Sequence, residues 1–492
     1  MRIAYLAGND IEVDARVLKY IDAAKNAGHT VHAFGSTMGV ESYEATVHEV
    51  PVTVSGEPAG HRRTATPMAR RASRPWFRAR LVFRMRYPNA SAQTAAVYQV
   101  DHWRLRARRG TGVRRLMRRG VASIGRRWLR SRPAPVESGA SFAQRFTDPL
   151  LRAHELDVYF GDPRFSWRDE LPKLSLDENQ LSDALNAFEP DIVHVHDVFM
   201  LAVATRAVEH AAAQGRRVAL VYDAHEYIIG LTHLEPRLRA AYVALEQAYI
   251  ARADAVVTVS PHLASLLARD HGLDEVPAVV LNAPLVAAPP SDFVDVRDLA
   301  HVRSAPLMVY VGGINAARGV ETAVCALQHM PSVHLVLVTN RVNKVVRRHI
   351  DLAYRLGVGA RLHIVDFVDP RLVPAYVSRA TIGLSTLLHT PNHEVAITNK
   401  FCEYLQASLP ILTSDTEAQA DLVRTERLGA VYEAGNIVDF VAKARMLIRH
   451  HDGFQQSITA RPDLLSSFHW DAQVGVLNQV YARIESALTA PV

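Results

Sequence analysis

Residues 309–320 of the chain, Val309-Tyr-Val-Gly-Gly-Ile-Asn-Ala-Ala-Arg-Gly-Val320, join a short apolar run to a glycine pair and then to a predicted helix start. Gly312 and Gly313 would let the backbone approach a ligand closely, and the free N–H groups at a helix start favour an anion. Arg318 adds a permanent cation whose forked hydrogen-bonding geometry suits a diphosphate. The stretch is neither a Walker loop nor GxGxxG, so it predicts a phosphate-binding loop of another type, with an ordinary turn as the alternative.

On both sides of this loop, short apolar runs alternate with segments of helical periodicity. Such alternation is typical of parallel sheets that are covered by helices on both faces. It begins with a strand–helix–strand unit in residues 3–34, resumes at residue 176, and starts a second time at residue 307. The predicted fold class is therefore α/β, with two doubly wound Rossmann-like domains that face each other across a cleft. Ligands are expected beyond the carboxyl ends of the strands.

Domain boundaries follow from the same alternation. The first domain is predicted to span residues 1–285, and the second residues 305–465. Between them, residues 286–304 contain two adjacent prolines and little periodicity, so they form the predicted linker. Residues 466–492 form a predicted closing helix. A basic segment, residues 62–132, interrupts the first domain.

The segment 62–132 concentrates the positive charge of a chain whose formal net charge is only +6. It contains 21 arginines, no lysine and one acidic residue, whereas the rest of the chain has 35 basic and 49 acidic residues. Between residues 113 and 128, apolar side chains recur at helical spacing with arginines between them, which predicts an amphipathic helix. Arginines interleaved with aromatic residues are typical of attachment to an anionic membrane surface. The alternatives are packing on the protein's own core and contact with nucleic acid, although no nucleic-acid-binding motif accompanies the segment.

The overall composition excludes several classes of protein. Hydrophobic residues make up 49% and charged residues 22%, as in globular proteins. No apolar run approaches the roughly 18 residues of a membrane span, and the N-terminal apolar run predicts a first strand and not a signal peptide. Two cysteines, Cys325 and Cys402, form neither a disulfide framework nor a cysteine-based zinc site. We therefore expect a cytoplasmic protein, with the segment 62–132 as a means of peripheral attachment to the inner face of the cell membrane.

Ionisable residues end two neighbouring predicted strands of the first domain, in His194-Val-His-Asp197 and in Tyr222-Asp-Ala-His-Glu226. The carboxyl ends of parallel strands face the ligand crevice, so these side chains are expected in the site, although a lone histidine is more often structural. Adjacent His and Glu lack the i, i+4 spacing of a His-Glu-x-x-His site, so no metal-ligand set is predicted. The expected site residues here are Asp197, Asp223, His225 and Glu226.

A further polar stretch, residues 393–410, leads from a loop into a predicted helix. Lys400 and Glu403 lie three residues apart on that helix, so they share one face. An acidic residue in this position could bind ribose hydroxyls. The alternative is an ordinary surface salt bridge.

Together these motifs resemble the GT-B glycosyltransferases, specifically the retaining family-4 type, over nearly all of the chain outside residues 62–132. The motifs that carry the resemblance are Asp14–Lys19, Gly28–Val31, Pro190–Asp197, Tyr222–Glu226, Val311–Gly313 with Arg318–Gly319, Asn399–Tyr404, Leu409–Leu412 and Trp470–Gln473. One departure concerns the family's usual pair of glutamates. Glu403 fits the second position, but the first falls on Val395, with Glu394 one residue away. The sequence matches an Asn-Lys-x-x-Glu form, which favours Asn399 and Lys400 as donor ligands.

The resemblance implies a transferase that moves a sugar from a nucleotide-sugar donor to a glycan or lipid-linked acceptor, with retention and without a metal or other cofactor. In the donor domain, residues 305–465, Arg318 and Lys400 would neutralise the leaving group. The backbone N–H groups of Gly312 and Gly313 would assist, and Glu403 would hold the ribose. The remaining donor-side residues are Phe367 and Val368, which would frame the base, together with Asn399 and Glu394.

The same resemblance assigns the acceptor to residues 1–285. Gly8 and His225 would face the anomeric carbon, and His225 would either position the substrate or act as a general base. The closing helix would cross back to the first domain. Two other functions stay open at this point, a nucleotide-sugar epimerase of the same fold and a non-catalytic protein that binds membrane or nucleic acid.

Overall fold

The computed structural model describes residues 1–9, 11–39, 41–58, 156, 158–231, 234–339 and 344–490. All of them belong to one compact unit, made of residues 1–61 and 139–492. The amphipathic helix predicted within residues 62–132 lies outside the described residues. None of the helices in the described ranges has the length and apolar character that a membrane span requires.

The first domain is built on an eight-stranded sheet with the order β3-β4-β2-β1-β5-β6-β7-β8. Neighbouring strands are parallel except for the antiparallel pair β3–β4. The strands are β1 (Arg2–Ala7), β2 (Thr30–Gly39), β3 (Tyr43–Val47), β4 (Val50–Pro58), β5 (Ile192–His196), β6 (Ala219–Ala224), β7 (Ala255–Thr258) and β8 (Ala278–Val279). The helices of this domain are α1 (Ala15–Asn26), α2 (Trp167–Glu170), α3 (Pro172–Phe188), α4 (Leu201–Ala213), α5 (Pro236–Tyr249) and α6 (Pro261–His271).

The second domain has a six-stranded, fully parallel sheet with the order β11-β10-β9-β12-β13-β14. Its strands are β9 (Leu307–Val311), β10 (His334–Val338), β11 (Leu362–Val365), β12 (Ile382–Ser385), β13 (Ile411–Ser414) and β14 (Gly429–Tyr432). The remaining helices are α7 (Val296–Leu299), α8 (Val320–Ala326), α9 (Lys344–Arg355), α10 (Val373–Val377), α11 (Pro391–Glu394), α12 (Asn399–Gln406), α13 (Glu417–Glu426), α14 (Ile437–Arg449), α15 (His451–Thr459), α16 (Pro462–Ser467) and α17 (Trp470–Thr489). The prediction of two doubly wound α/β domains is thus confirmed.

Each sheet buries an apolar layer on both of its faces, as its near-continuous apolar strands require. Local signals set the helix ends that matter for the site. Asp14 caps α1 by accepting hydrogen bonds from the N–H groups of Arg16 and Val17. Ser260 caps α6 by accepting a hydrogen bond from the N–H of Leu263. These caps fix where α1 and α6 begin, next to the carboxyl ends of the strands.

The helix α17 returns to the first domain and packs on its sheet through Trp470, Leu477, Tyr481 and other apolar residues. The hydroxyl group of Tyr481 lies 2.7 Å from that of Tyr5 in β1 and 2.8 Å from Nδ1 of His194 in β5. The closing helix of the chain therefore completes the core of the first domain.

The predicted linker 286–304 differs from the structure in its second half. Val296 of α7, and Ala300 and Val302 just after it, are buried in the core of the second domain. Asp295 caps α7 and forms an ion pair of 2.8 Å with Arg379, which connects this stretch to the segment after α10. The adjacent prolines near the start of this stretch led to a predicted linker that is too long, because the apolar residues after them belong to the core of the second domain.

Candidate functional site

The loop between β9 and α8 holds the predicted phosphate-binding residues at the carboxyl edge of the second sheet. Gly312 has φ +125°, a conformation that favours glycine. A Cβ atom on Gly312 would lie 3.5 Å from Nζ of Lys400, whereas one on Gly313 would meet no atom within 4 Å. Gly319 has φ +65°, and a Cβ atom there would overlap the carbonyl oxygen of Thr386. The loop thus rests on the segment after β12 and leaves the backbone at Gly313 open.

Lys400 lies on the first turn of α12 and is 7% exposed. Its Nζ lies 4.8 Å from the ring centroid of Tyr310, at the end of β9. Burial and the positive charge of Arg318 together lower the pKa of Lys400 to about 7, although Glu403 opposes the shift. Two basic side chains therefore act on the same small region beside Gly312, where the charge of Arg318 disfavours that of Lys400.

Glu403 follows Lys400 by one helical turn and is partly buried. Burial raises the pKa of Glu403 to about 7, although Lys400 and Lys19 both oppose the rise. Lys19 belongs to α1 of the first domain, so Glu403 experiences charges from both domains. Asn399, at the start of the same helix, is exposed.

Two further predicted donor residues, Phe367 and Val368, follow β11 on the same edge of the sheet. Both are half-buried and pack against the core of the second domain. The structure places them two strands away from the loop that carries Arg318, in the order β11-β10-β9. A flat ligand could lie between the two positions along the carboxyl ends of these strands.

Glu394 is not directed to open space but is held by neighbouring residues. Its Oε1 lies 2.7 Å from Nδ1 of His389, and its Oε2 accepts a hydrogen bond of 3.0 Å from the N–H of Glu417. Nε2 of His389 lies 2.9 Å from Oδ1 of Asp415. Hydrogen bonds to Asp415 and Glu394 raise the pKa of His389 to about 10. Glu394 thus helps to fix the loop between β12 and α12.

His225 lies after β6 in the first domain, between two carboxylates. Its Nδ1 is 3.1 Å from Oδ2 of Asp197, and its Nε2 is 3.1 Å from Oδ2 of Asp223. Burial would lower the pKa of His225, but Asp197 and Asp223 outweigh it and raise the pKa to about 10. The two carboxylates therefore favour the charged form of the ring near pH 7, while Arg16, whose Nε lies 3.0 Å from Nε2 of His225, opposes it.

Asp197 itself has an unusual backbone. Its φ is +60° and its ψ is 164°, a region that glycine occupies almost exclusively. The conformation is held by a 2.9 Å hydrogen bond from the N–H of Asp197 to the carbonyl oxygen of Asp223. In return, Oδ1 of Asp197 accepts a hydrogen bond of 3.3 Å from the N–H of His225. Backbone strain of this kind costs about 1–3 kcal/mol and is typical of functional sites.

The residue that fixes Asp223 is Arg16 of α1, which the sequence analysis did not single out. Its Nη2 and Nε donate to Oδ1 and Oδ2 of Asp223 at 2.8 Å and 3.0 Å. The side chain of Asp223 is fully buried, and burial alone would raise its pKa. The charges of Arg16 and His225 reverse this and hold the pKa of Asp223 well below its usual range. A lone arginine in an amphipathic helix carries no sequence signal of such a role, because most are solvated.

Two predicted acceptor-side residues lie around this group. A Cβ atom on Gly8, after β1, would overlap Cβ of Phe199, so the close approach of these loops requires glycine. Glu226 is partly buried beside Asn392 of the second domain, and burial together with the charge of Asp197 raises its pKa to about 7. The acceptor-side and donor-side loops therefore meet at Glu226.

Within the described ranges, one group of side chains has the geometry of metal donors, namely His194, His196 and Asp223. Both oxygens of Asp223 already accept hydrogen bonds from Arg16. Bringing a cation next to this buried guanidinium would be unfavourable. We assign the group to the hydrogen-bonding network of Arg16.

Comparison with protein families agrees with the two-domain division. The family described as Glycosyltransferase Family 4 matches residues 140–283, and the one described as Glycosyl transferases group 1 matches residues 305–450. A sequence search of curated proteins gave no match.

Solved structures extend the likeness to the whole chain. Sucrose-phosphate synthase from Thermosynechococcus elongatus superposes with a TM-score of 0.62 at 14% identity, covering 99% of this chain and 100% of that one. HepE of Anabaena in complex with UDP superposes with a TM-score of 0.56 at 16% identity, covering 99% of this chain and 100% of that one. A glycosyltransferase from Rickettsia africae ESF-5 superposes with a TM-score of 0.56 at 10% identity, covering 98% of each chain. With the two family matches and this fold, the chain is a GT-B glycosyltransferase, in which a Family 4 domain precedes a group 1 domain.

Proposed function

We propose that this glycosyltransferase takes its sugar from a nucleoside diphosphate sugar bound in the second domain and transfers it to an acceptor held in the first. The observation that carries the proposal is the buried ammonium group of Lys400 beside Gly312, close to the guanidinium of Arg318. Two mutually repelling cations next to an open glycine backbone suit a ligand with two adjacent negative charges, which a diphosphate supplies.

In this proposal, Arg318 and Lys400 stabilise the negative charge that develops on the leaving diphosphate. The N–H groups of Gly312 and Gly313 donate to the same oxygens, and Glu403 accepts hydrogen bonds from the ribose. Phe367 and Val368 pack against the base, and Asn399 borders the donor at the start of α12. Glu394 acts through His389, by fixing the loop that faces the donor sugar.

His225 is assigned to positioning and to charge stabilisation, because its paired carboxylates keep it protonated. The bond between the anomeric carbon and the diphosphate oxygen breaks, and a bond from the acceptor hydroxyl oxygen to that carbon forms. The hydroxyl proton passes to an oxygen of the leaving phosphate, since Asp197 and Asp223 favour the protonated form of His225. Attack and departure on the same face of the sugar would give retention.

The proposed enzyme needs no metal ion, because Arg318 and Lys400 take the place of a cation on the diphosphate. The test is donor turnover after treatment with a chelator, compared with the same enzyme given back magnesium or manganese. We expect equal rates. A loss that either metal restores would contradict this part of the proposal.

The acceptor is proposed to be a glycan or lipid-linked glycan that the enzyme reaches at an anionic membrane surface. The support is the 21 arginines of residues 62–132, whose pattern favours attachment to acidic lipid. Sedimentation with vesicles of phosphatidylglycerol, compared with vesicles of phosphatidylcholine, tests this. We expect binding to the acidic vesicles that a variant without residues 62–132 loses. Equal sedimentation of the two proteins would exclude the segment as the attachment site.

The donor is tested by thermal stabilisation with UDP, GDP, ADP and dTDP sugars. A ligand at 100 times its dissociation constant should add about 2.7 kcal/mol to the free energy of unfolding. We expect one nucleotide to stabilise the wild-type protein and not Glu403→Ala, with the exposed Glu485→Ala as the matched control. Stabilisation that persists in Glu403→Ala would contradict the assigned ribose contact.

The same preparation separates a transferase from an epimerase of this fold. The donor that stabilises the protein is incubated with and without a panel of glycan acceptors. A transferase converts the donor to a glycosylated product and a nucleoside diphosphate only when the acceptor is present. Epimerisation of the donor sugar in its absence would favour the alternative function.

A further inference from the structure

The guanidinium of Arg16 connects the candidate site to the segment that joins the two domains. On the site side, it makes the two-point contact with Asp223 at 2.8 and 3.0 Å. On the other side, its Nη1 donates to the carbonyl oxygen of Val280 at 3.0 Å and to Oδ1 of Asn282 at 2.8 Å. Nη2 also donates to the hydroxyl group of Tyr20 at 2.7 Å. The planar guanidinium therefore donates hydrogen bonds in several fixed directions at once, a geometry that no other side chain has.

The segment after β8 receives further hydrogen bonds from α1 and α17. Nζ of Lys19 donates to the carbonyl oxygen of Ala283 at 2.7 Å. The N–H of Leu281 donates to Oε1 of Gln473 at 2.9 Å, and the N–H of Trp470 donates to the carbonyl oxygen of Pro284 at 3.1 Å. The interdomain segment is therefore fixed to the helix that carries Arg16.

The position of His225 depends on the same carboxylate that Arg16 holds. Oδ2 of Asp223 lies 3.1 Å from Nε2 of His225, and Nε of Arg16 donates a hydrogen bond of 3.0 Å to the same nitrogen, so Arg16 acts on His225 both directly and through Asp223. Without the guanidinium, the buried carboxylate would lose two hydrogen bonds and could rotate. The imidazolium would then lose the partner that fixes its ring on the side opposite Asp197. A displacement of about 1 Å at a reacting group can reduce the rate about 100-fold.

We propose that Arg16 is a positioning residue for glycosyl transfer, which sets the place of His225 through Asp223 and fixes it relative to the interdomain segment Val280–Asn282. The inference rests on the proposed function in one respect, namely that His225 acts at the transferred sugar. It adds a residue that lies outside the donor and acceptor contacts assigned above. Arg16 is buried, so its effect on transfer is expected to pass through His225.

The test is a double-mutant cycle on kcat with Arg16→Gln and His225→Gln, using the nucleoside diphosphate sugar that the thermal panel identifies. We expect Arg16→Gln to lower kcat about 100-fold while the dissociation constant of the donor stays within about twofold. In the His225→Gln background, the same Arg16→Gln change should alter kcat less than about threefold, because the group it positions is absent. A purely structural role of Arg16 would lower kcat equally in both backgrounds and would overturn the proposal.

Two controls keep the test decisive. Arg239→Gln removes another buried arginine of the same domain, one that donates to the carbonyl oxygen of Leu231 at 2.8 Å. It should lower the melting temperature without changing kcat, which shows the cost of losing a buried arginine as such. If Arg16→Gln does not fold, Arg16→Lys replaces it in the cycle, because it retains the charge beside Asp223 but not the fork.

Different results would contradict the proposed function and the positioning role of Arg16. If the wild-type enzyme turns over no donor with any acceptor, the proposed function fails. If the wild type is active and Arg16→Gln has wild-type kcat, the positioning role fails while the proposed function stands. Lys19→Gln removes the contact with Ala283 while Arg16 is kept, and the donor dissociation constant is measured with it because Lys19 also acts on Glu403; we expect kcat to fall less than tenfold. An effect as large as that of Arg16→Gln would assign the role to the attachment and not to His225.

Discussion

The side-chain oxygen of Asn392 accepts a 2.9 Å hydrogen bond from the backbone N–H of Tyr227, and this contact joins the two domains beside the candidate site. Asn392 belongs to α11 of the second domain, and Tyr227 lies two residues after His225 in the first. The loops approach so closely that a Cβ atom on Gly230 would lie 2.6 Å from the N atom of Asn392. A hydrogen bond from Ser260 to the carbonyl oxygen of Val395 continues the contact. Donor-side and acceptor-side loops thus support each other.

Asn392→Ala should weaken the enzyme by leaving the N–H of Tyr227 without its partner. Loss of one partly buried hydrogen bond costs about 1 kcal/mol, which corresponds to about a fivefold increase in KM for the donor. Steady-state kinetics measure the change. The matched control is His262→Ala, which removes an exposed interdomain pair, His262–Asp421, at 3.2 Å. That pair should contribute almost nothing, so equal effects of the two variants would contradict the assignment.

Donor affinity should be greatest near pH 7. The pKa values of Lys400 and Glu403 are both shifted to about 7, so the pair titrates together. Above this pH, Lys400 loses the positive charge that holds the diphosphate. Below this pH, Glu403 becomes protonated and can no longer accept hydrogen bonds from the ribose as a carboxylate. Calorimetry from pH 5.5 to 8.5 measures the affinity. Lys400→Met should remove the alkaline decline and Glu403→Gln the acidic one, and unchanged profiles would be evidence against these roles.

Asp197→Asn should move the alkaline limit of kcat to lower pH. The pKa of His225 is raised to about 10, so its charge is present below that pH and is lost as the pH rises through it. Asparagine has the same shape as the Asp197 side chain but removes one of the two negative charges beside the ring. The decline in kcat at saturating donor should therefore begin closer to the ordinary histidine pKa of about 6.5. A profile that matches the wild type would show that the charge of His225 does not matter.

Alanine substitutions at two glycines of the phosphate loop should have different effects, one on the stability of the fold and one on donor binding. Gly319→Ala introduces a Cβ atom into the carbonyl group of Thr386 at φ +65°, so it should lower the melting temperature by several degrees. Gly313→Ala has open space around its Cβ atom, so the fold should be unaffected. If the backbone at Gly313 contacts the diphosphate, donor affinity should fall about tenfold or more. Thermal melts with and without donor separate the two effects, and normal donor binding by Gly313→Ala would exclude that backbone contact.

The sequence predicts most of the fold because apolar strands and glycine-ended helices repeat in a fixed order. The hairpin of β3 and β4 was missed, although it lies between residue 34 and the basic segment. Its exposed face and the nearby arginines interrupted the pattern of buried parallel strands. The strand β14 and helix α13 were also missed. β14 begins with Gly429, and only two of its four residues, Ala430 and Tyr432, are buried, so it lacks the continuous apolar run that marks the central strands.

Some residues of the candidate site could likewise be predicted from the sequence, and others could not. Lys400, Glu403 and His225 lie in local motifs, so the sequence alone could single them out. Arg16 and Asn392 could not be found in this way, because their roles arise from contacts over 207 and 165 residues of chain. The protonation of His225 likewise depends on Asp197 and Asp223, which come together only when β5 and β6 pair. The sequence left open whether His225 positions the substrate or acts as a base, and the surrounding carboxylates favour the charged ring.

The contact between Tyr5 and Tyr481 joins residues that are 476 positions apart. During synthesis on the ribosome, the first sheet emerges early but lacks the apolar surface of α17 until almost the whole chain has been made. Until then, one face of the acceptor domain stays incompletely covered, which exposes it to aggregation or to chaperones. A chain that ends before residue 470 would therefore lose a layer of the N-terminal core, even though its donor domain would be nearly complete. Attempts to express the acceptor domain separately should supply α17 as a fused or added segment.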